Sequence, residues 1–221
     1  MKTKLFTLAL VAVAIMATSC GTSRNATLSQ NVNKSAKNYI AEQIEEWEAD
    51  GYKRSGPSVT YSLEELMIKH RSKMEAAPNK YFELYGVASG GGKSSLSALK
   101  MMVINDVARE YATKADMSMK GKMGSHFNSL SEDVKDIITA SYISEISSNI
   151  IPYLKESFAI EKITPTSMEL RIYYIVDEEQ AAKVRAQAAN TAAKKAMDSI
   201  TFGQNALKDI EQAATGNPLS E

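Results

Sequence analysis

Residues 81–112 constrain the fold of this chain more than any other stretch. They run from an apolar segment, YFELYGVA, through SGGGKSS into the amphipathic segment LSALKMMVINDVAREYA. In the first segment Tyr81, Glu83, Tyr85 and Val87 alternate with Phe82, Leu84, Gly86 and Ala88. Both sets are largely apolar, which predicts an interior strand. In the last segment Leu96, Leu99, Val103, Val107 and Tyr111 fall on one side of a helix. The glycines between them allow a sharp reversal through positive φ, and Ser94 or Ser95 can cap the helix that follows.

Strand, glycine-rich turn and helix are also the setting of a phosphate-binding loop, and Gly92-Lys93-Ser94 matches the end of GxxxxGK[ST]. That motif requires a glycine at position 87, where this chain has Val87; Gly86 comes one residue too early. The spacing matters because the loop's amides must converge on the phosphates from a ring of fixed size. The run YYIVDE over 173–178 looks like a strand ending in magnesium ligands, but the run from Met117 to Phe127, itself expected to be a strand, carries no acidic residue. A nucleotide-dependent enzyme using the 90–95 loop is therefore the least supported reading. What remains is a scaffold turn, with an anion-binding role for Gly91, Gly92, Lys93 and Ser94 at the start of the helix as its chemical option.

The N-terminal residues read MKTKLFTLALVAVAIMATSC. Lys2 and Lys4 form a basic head, and residues 5–17 are apolar without a charge. A stable membrane span needs about 20 apolar residues, so this run fits the h-region of a secretory signal. Small residues then lead into Cys20, a pattern that resembles the bacterial lipobox, although Ala17 stands where that pattern prefers leucine. The resemblance implies acylation of Cys20, with its acyl chains as the membrane partner. At about 0.8 kcal/mol per buried CH₂, several acyl chains hold a protein on a bilayer without any spanning helix. Gly21 follows the cysteine in place of the aspartate that retains lipoproteins at the inner membrane, so the sorting resemblance implies an outer-membrane, periplasm-facing location.

Composition removes several function classes. Lys+Arg and Asp+Glu are each 26, and removing Lys2 and Lys4 leaves 24 against 26. That balance offers no basic face for nucleic acid. Cys20 is the only cysteine, so no intramolecular disulfide can form, and two histidines cannot make a histidine-rich metal site. No cofactor or metal is expected.

Residues 22–37 are rich in Ser, Thr and Asn and read as a flexible tether of roughly 20 Å reach. Tyr39, Ile40, Ile44 and Trp47 recur at helical spacing, with Trp47 as a core anchor. YKRSGPSVTY is a loop or short strand. Ser62 and Glu65 have the spacing of a capping box, opening a second helix that buries Leu63, Leu66 and Met67, with His70 as a packing histidine. In ADMSMKGKMGSHF, Met117, Met119, Gly121, Met123, Ser125 and Phe127 alternate with polar residues, which predicts a strand whose methionines fill the core.

Ser129 and Glu132 repeat the capping-box spacing before a helix carrying Val134, Ile138, Tyr142 and Ile146. LKESFAIEKI and MELRIYYIV flank a turn at residues 164–167 and predict a hairpin. Asp177 caps a last, alanine-rich helix that packs on the sheet or meets a partner.

The expected fold is α+β: a sheet of about four strands in β-α-β-α-β-β-α order, helices on one face, preceded by two amphipathic helices. The expected division is a signal peptide over 1–19, an acylated cysteine and tether over 20–37, a helical region over 38–77, the α+β domain over 78–203, and a helical extension and tail over 204–221. Residues 81–176 resemble the Lpp-twenty-like family of bacterial outer-membrane lipoproteins in their order of strand, glycine, alanine-containing helix, strand, helix and hairpin. The resemblance implies an envelope-anchored module with no known catalytic residue. The function expected is thus a lipid-anchored, non-enzymatic binding or assembly protein, its partner an envelope protein or a second copy meeting the helix over 178–201. The alternative is an envelope hydrolase, since Ser97 and Lys100 form the SxxK pattern of peptidoglycan enzymes; neither SDN nor KTG follows.

Overall fold

The computed structural model describes residues 24–56 and 61–199. The chain divides into two units, 1–38 and 39–221, and the sheet with the helices packed on it belongs to the second. Helix α1 (Arg24–Ala49) already begins inside the stretch expected to be a flexible tether. A helix rises 1.5 Å per residue, so residues 24–37 span roughly 21 Å as helix, close to the reach expected of a coil. Gly51 ends the next turn at φ 87, and the short strand β1 (Lys53–Arg54) follows.

Helix α2 (Leu63–Ala76) starts at the predicted capping box: Ser62 Oγ accepts from the Glu65 amide, and the Glu65 carboxylate accepts from the Ser62 amide. Strand β2 (Tyr81–Gly91) and helix α3 (Leu96–Met123) form the predicted strand–turn–helix, with Ser95 as the cap. After the short α4 (Ser125–Asn128) come α5 (Glu132–Asn149) and a 3₁₀ turn at Ile151–Tyr153. The hairpin β3 (Leu154–Ile163) and β4 (Ser167–Asp177) leads into α6 (Glu178–Ser199), where Asp177 Oδ1 accepts from the Glu179 amide as expected of a cap.

The fold is α+β, with six helices and a four-stranded antiparallel sheet among the described residues, in the order β1-β3-β4-β2. The methionine-rich stretch is helix throughout, up to Gly124, so the fourth strand is β1 and not residues 117–127. Tyr111, Ala112, Ala115, Met119 and Met123 are buried at helical spacing while Met117 is 67% exposed. Met, Lys and Ala are good helix formers, and the helix already nucleated at Ser95 extends through them in preference to the period-two pattern. The second expected capping box does not form: Ser131 occupies the N-cap of α5 without a side-chain cap hydrogen bond, while Ser129 Oγ donates to the carbonyl of His126.

The main core lies between one face of the sheet and α3, α5 and α6. Leu170, Ile172, Tyr174 and Val176 of β4, every second residue of the strand, point into it. Gly86 is what lets α3 approach: a Cβ there would lie 2.6 Å from Val107 Cγ2 and 2.9 Å from Val103 Cγ1. The alanine stripe of α6, from Ala181 to Ala196, is buried in this core, leaving Lys183, Gln187 and Lys194 outside. Over its described residues, the apolar side of the stretch 178–201 expected to meet a partner is thus covered within the chain.

A smaller cluster forms on the opposite face, where Ile40 and Trp47 of α1 and Met67 of α2 pack over Phe158 and Ile160 of β3. The two N-terminal helices therefore add a partial layer opposite the main helical one. A register shift in β3 makes this face. Glu156 pairs with Tyr174 and Phe158 with Tyr173, so Ser157 is the extra residue of a β-bulge. Before the bulge Leu154 faces the main core; beyond it Phe158 and Ile160 face the helices α1 and α2.

Candidate functional site

The bulge brings Phe158 into register with Tyr173, which the regular β2–β4 pairing already sets opposite Tyr85 of β2. Their rings make a ladder across three strands, with centroids 4.3 Å apart for Phe158–Tyr173 and 5.5 Å for Tyr85–Tyr173, both stacked. Trp47 leans over this ladder from α1, 6.3 Å from Phe158 and 6.0 Å from Tyr173. Such cross-strand aromatic pairs stabilise the sheet by about 0.2–1 kcal/mol each and present flat apolar surface.

Above the ladder, α1 and α2 stand apart far enough to leave a cavity of about 360 Å³. Trp47, Phe158 and Tyr173 form its aromatic floor, and Arg71, Glu75 and Glu83 contribute its charges. Arg71 is bound to Glu75 at 2.9 Å one helical turn away. Burial pushes the Tyr173 phenol above its ordinary range, and the carboxylate of Glu83 adds to the rise. The hydroxyl therefore stays protonated and able to donate to a ligand.

His70 forms the wall between α2 and the sheet. It is buried, with its ring edge-on to Phe158 at 5.5 Å, so the packing role expected from sequence is real. It has polar partners as well: Nδ1 lies 2.9 Å from Ser157 Oγ, and Nε2 lies 3.2 Å from Glu83 Oε1. The second approach is an ion-pair distance without hydrogen-bond alignment, since Nε2 has no bonded partner. Sequence reasoning did not connect these three residues. Ser157 offered one local sign, the run FAI directly after it, where three successive apolar residues break the alternation of a half-exposed strand.

The sites read from sequence stand apart from this one. Cys20 lies outside the described residues, as do the signal peptide and residues 204–221. In the glycine turn, the Gly92 amide donates to the Thr166 carbonyl and the Ser94 amide to the Gly91 carbonyl, each at 2.8 Å. Two of the amides that an anion at Gly91, Gly92, Lys93 and Ser94 would use are thereby engaged. None of the three glycines has positive φ. Two of them are required for space: a Cβ on Gly90 would lie 2.2 Å from Ser94 Oγ, and one on Gly92 2.8 Å from the Pro165 carbonyl oxygen, while one on Gly91 would meet open space. Lys100 is bound to Glu156 at 3.2 Å, and Ser97 is exposed.

Among the described residues no helix is long and apolar enough to cross a membrane, and no three His, Cys, Asp or Glu side chains are grouped to hold a metal ion. Comparison with protein-family models, with curated proteins and with solved structures gave no match.

Proposed function

We propose that this is a lipid-anchored protein of the outer membrane that works by binding, and that its ligand enters the aromatic cavity between α1, α2 and the sheet. The observation that carries the reading is the cavity itself: about 360 Å³, floored by Trp47, Phe158 and Tyr173 and edged by Arg71, Glu75 and Glu83. An apolar concavity with a few convergent polar groups is the usual form of a ligand site. Its volume suits a small molecule or one or two side chains of a partner protein, with an apolar or aromatic body and a polar head.

Trp47 is the only tryptophan, so its emission reports on the cavity without labelling. Titration with a library of small molecules and short peptides is expected to give saturable changes in wild-type emission. For the ligands found, Tyr173→Ala should weaken binding at least about tenfold, because it removes the central ring of the ladder. A Tyr173→Ala protein that binds every such ligand as tightly as the wild type rules the cavity out as the site.

The anchor rests on residues 1–20 and has its own test. Cells fed labelled fatty acid should incorporate it into the wild type and not into Cys20→Ala, and the variant should leave the membrane fraction on washing. Equal incorporation into both proteins removes the lipidation reading and leaves the binding one standing.

A further inference from the structure

His70 separates two cavities. On one side Glu83 belongs to the aromatic cavity; on the other, Ser157 lines a second cleft of about 200 Å³ together with Lys69, Lys73 and Lys155. We propose that Ser157 is a nucleophile activated by His70, and that the lysine-lined cleft receives an anionic carboxylic ester for hydrolysis. This goes beyond the binding role and does not depend on it, since the cleft and the aromatic cavity lie on opposite edges of the imidazole.

The tautomer supports the direction of proton transfer. Glu83 lies 3.2 Å from Nε2 without the alignment of a hydrogen bond, but its negative charge there favours the hydrogen on Nε2 and leaves the lone pair on Nδ1. The Ser157 hydroxyl, 2.9 Å from Nδ1, is then the donor in that bond. This is the arrangement a general base needs before attack. The nitrogens are used in the reverse of the order found in many serine hydrolases, but either edge of an imidazole serves as base when a carboxylate orients the other.

Nucleophile, base and orienting acid also sit on rigid elements. His70 is clamped edge-on against Phe158, and Glu83 lies within β2. Ser157 is the unpaired residue of the bulge, which turns its side chain out of the strand's alternation and toward α2. Lys69 and Lys73 are one helical turn apart on α2, and Lys155 is two residues before the serine. Glu156 lines the same cleft but is held by Lys100 at 3.2 Å, which offsets its charge. The net positive cleft would favour an anionic substrate and the oxyanion that forms from its carbonyl.

In the reaction, Ser157 Oγ bonds to the carbonyl carbon while its proton passes to His70 Nδ1. The tetrahedral intermediate collapses by breaking the bond to the alcohol, which leaves with that proton. Water then attacks the acyl-serine, giving its proton to Nδ1; the acyl–oxygen bond breaks, Ser157 Oγ regains the proton, and a carboxylic acid departs. Glu83 keeps the imidazolium stable throughout and is a positioning residue.

The full-length protein in detergent would be treated with a fluorophosphonate probe and mapped by mass spectrometry, and assayed with the p-nitrophenyl monoester of glutaric acid against p-nitrophenyl butyrate. The expected result is one adduct, on Ser157, with the anionic ester turned over faster than the neutral one. Ser157→Ala should lose both signals, and His70→Gln should lower both rates about 100-fold, the scale of a lost general base. Glu83→Gln should slow labelling, with partial recovery in Glu83→Asp, a pattern that loss of structure alone does not give. The absence of a Ser157 adduct on folded wild type overturns the proposal. So does labelling that proceeds in His70→Gln at the wild-type rate while circular dichroism shows it folded.

Discussion

Glu178→Ala is expected to reduce the stability of the fold by about 3–5 kcal/mol, because it leaves a guanidinium buried without its carboxylate. Glu178 and Arg185 face each other at 2.8 Å, and the side chain of each is only 4% exposed. Tyr111, fully buried on α3, donates to Glu178 Oε1 at 3.1 Å and accepts from Arg185, so the charges of α6 are tied to the central helix. Burial pushes the Tyr111 phenol far above its ordinary range, which keeps it protonated and unable to replace the lost negative charge.

In a urea titration a loss of this size moves the midpoint by roughly 2 M. Replacing both charges by apolar side chains, as in Glu178→Leu with Arg185→Met, removes the stranded charge and should restore most of the loss. If the single variant melts with the wild type, or if the double variant is as unstable as the single, the buried pair does not hold α6 in place as described.

Much of this architecture was written locally. The capping box at Ser62, the serine cap of α3, the hairpin about residues 164–167 and the inward set of β4 each follow from residues within a few positions of one another. Where two periods competed, locality misled. Residues 117–127 alternate as a strand would, yet Tyr111, Ala115 and Met119 continue a helical stripe begun sixteen residues upstream of Ala115's turn of helix at Leu99. Only the earlier helix reveals that stripe, and Met123 completes it.

The glycine turn shows a second limit. Its glycines suit a turn through either backbone freedom or close approach, and composition does not separate the two. The structure answers with the Thr166 and Pro165 carbonyls of the hairpin, more than seventy residues away in the chain, pressed against Gly92. The candidate site lies further still from local reading. His70, Glu83 and Ser157 come from α2, β2 and the bulge of β3, and antiparallel pairing through β4 is what brings them together. Taken singly, each is an ordinary residue: a histidine beside an apolar stripe, a glutamate in a strand, and a serine before FAI. What promotes them is the register shift at residue 157, which a sequence announces only as an imperfect alternation.

The same register shift makes Trp47→Ala the other large perturbation, with an expected loss of about 3–5 kcal/mol at the site. Trp47 is 6% exposed and joins α1 to the Phe158–Tyr173 stack, inside a cluster that is separate from the main core. That separation determines how the loss appears. The main core, built on α3, α5 and α6, does not include the tryptophan, so its packing survives, and the destabilisation falls on the smaller layer formed by α1 and α2. Local opening of this kind has its own free energy, below that of global unfolding. Amide exchange over residues 39–49 should therefore accelerate by two or more orders of magnitude, while amides of α5 and β4 keep wild-type protection. Ligands of the aromatic cavity should lose affinity with it, because the cavity loses part of its floor as well as the helix that walls it. Trp47→Phe, which keeps a ring over Tyr173, should recover part of both. Uniform acceleration of exchange across all helices in Trp47→Ala would show instead that the two layers unfold as one, and that the tryptophan belongs energetically to the main core.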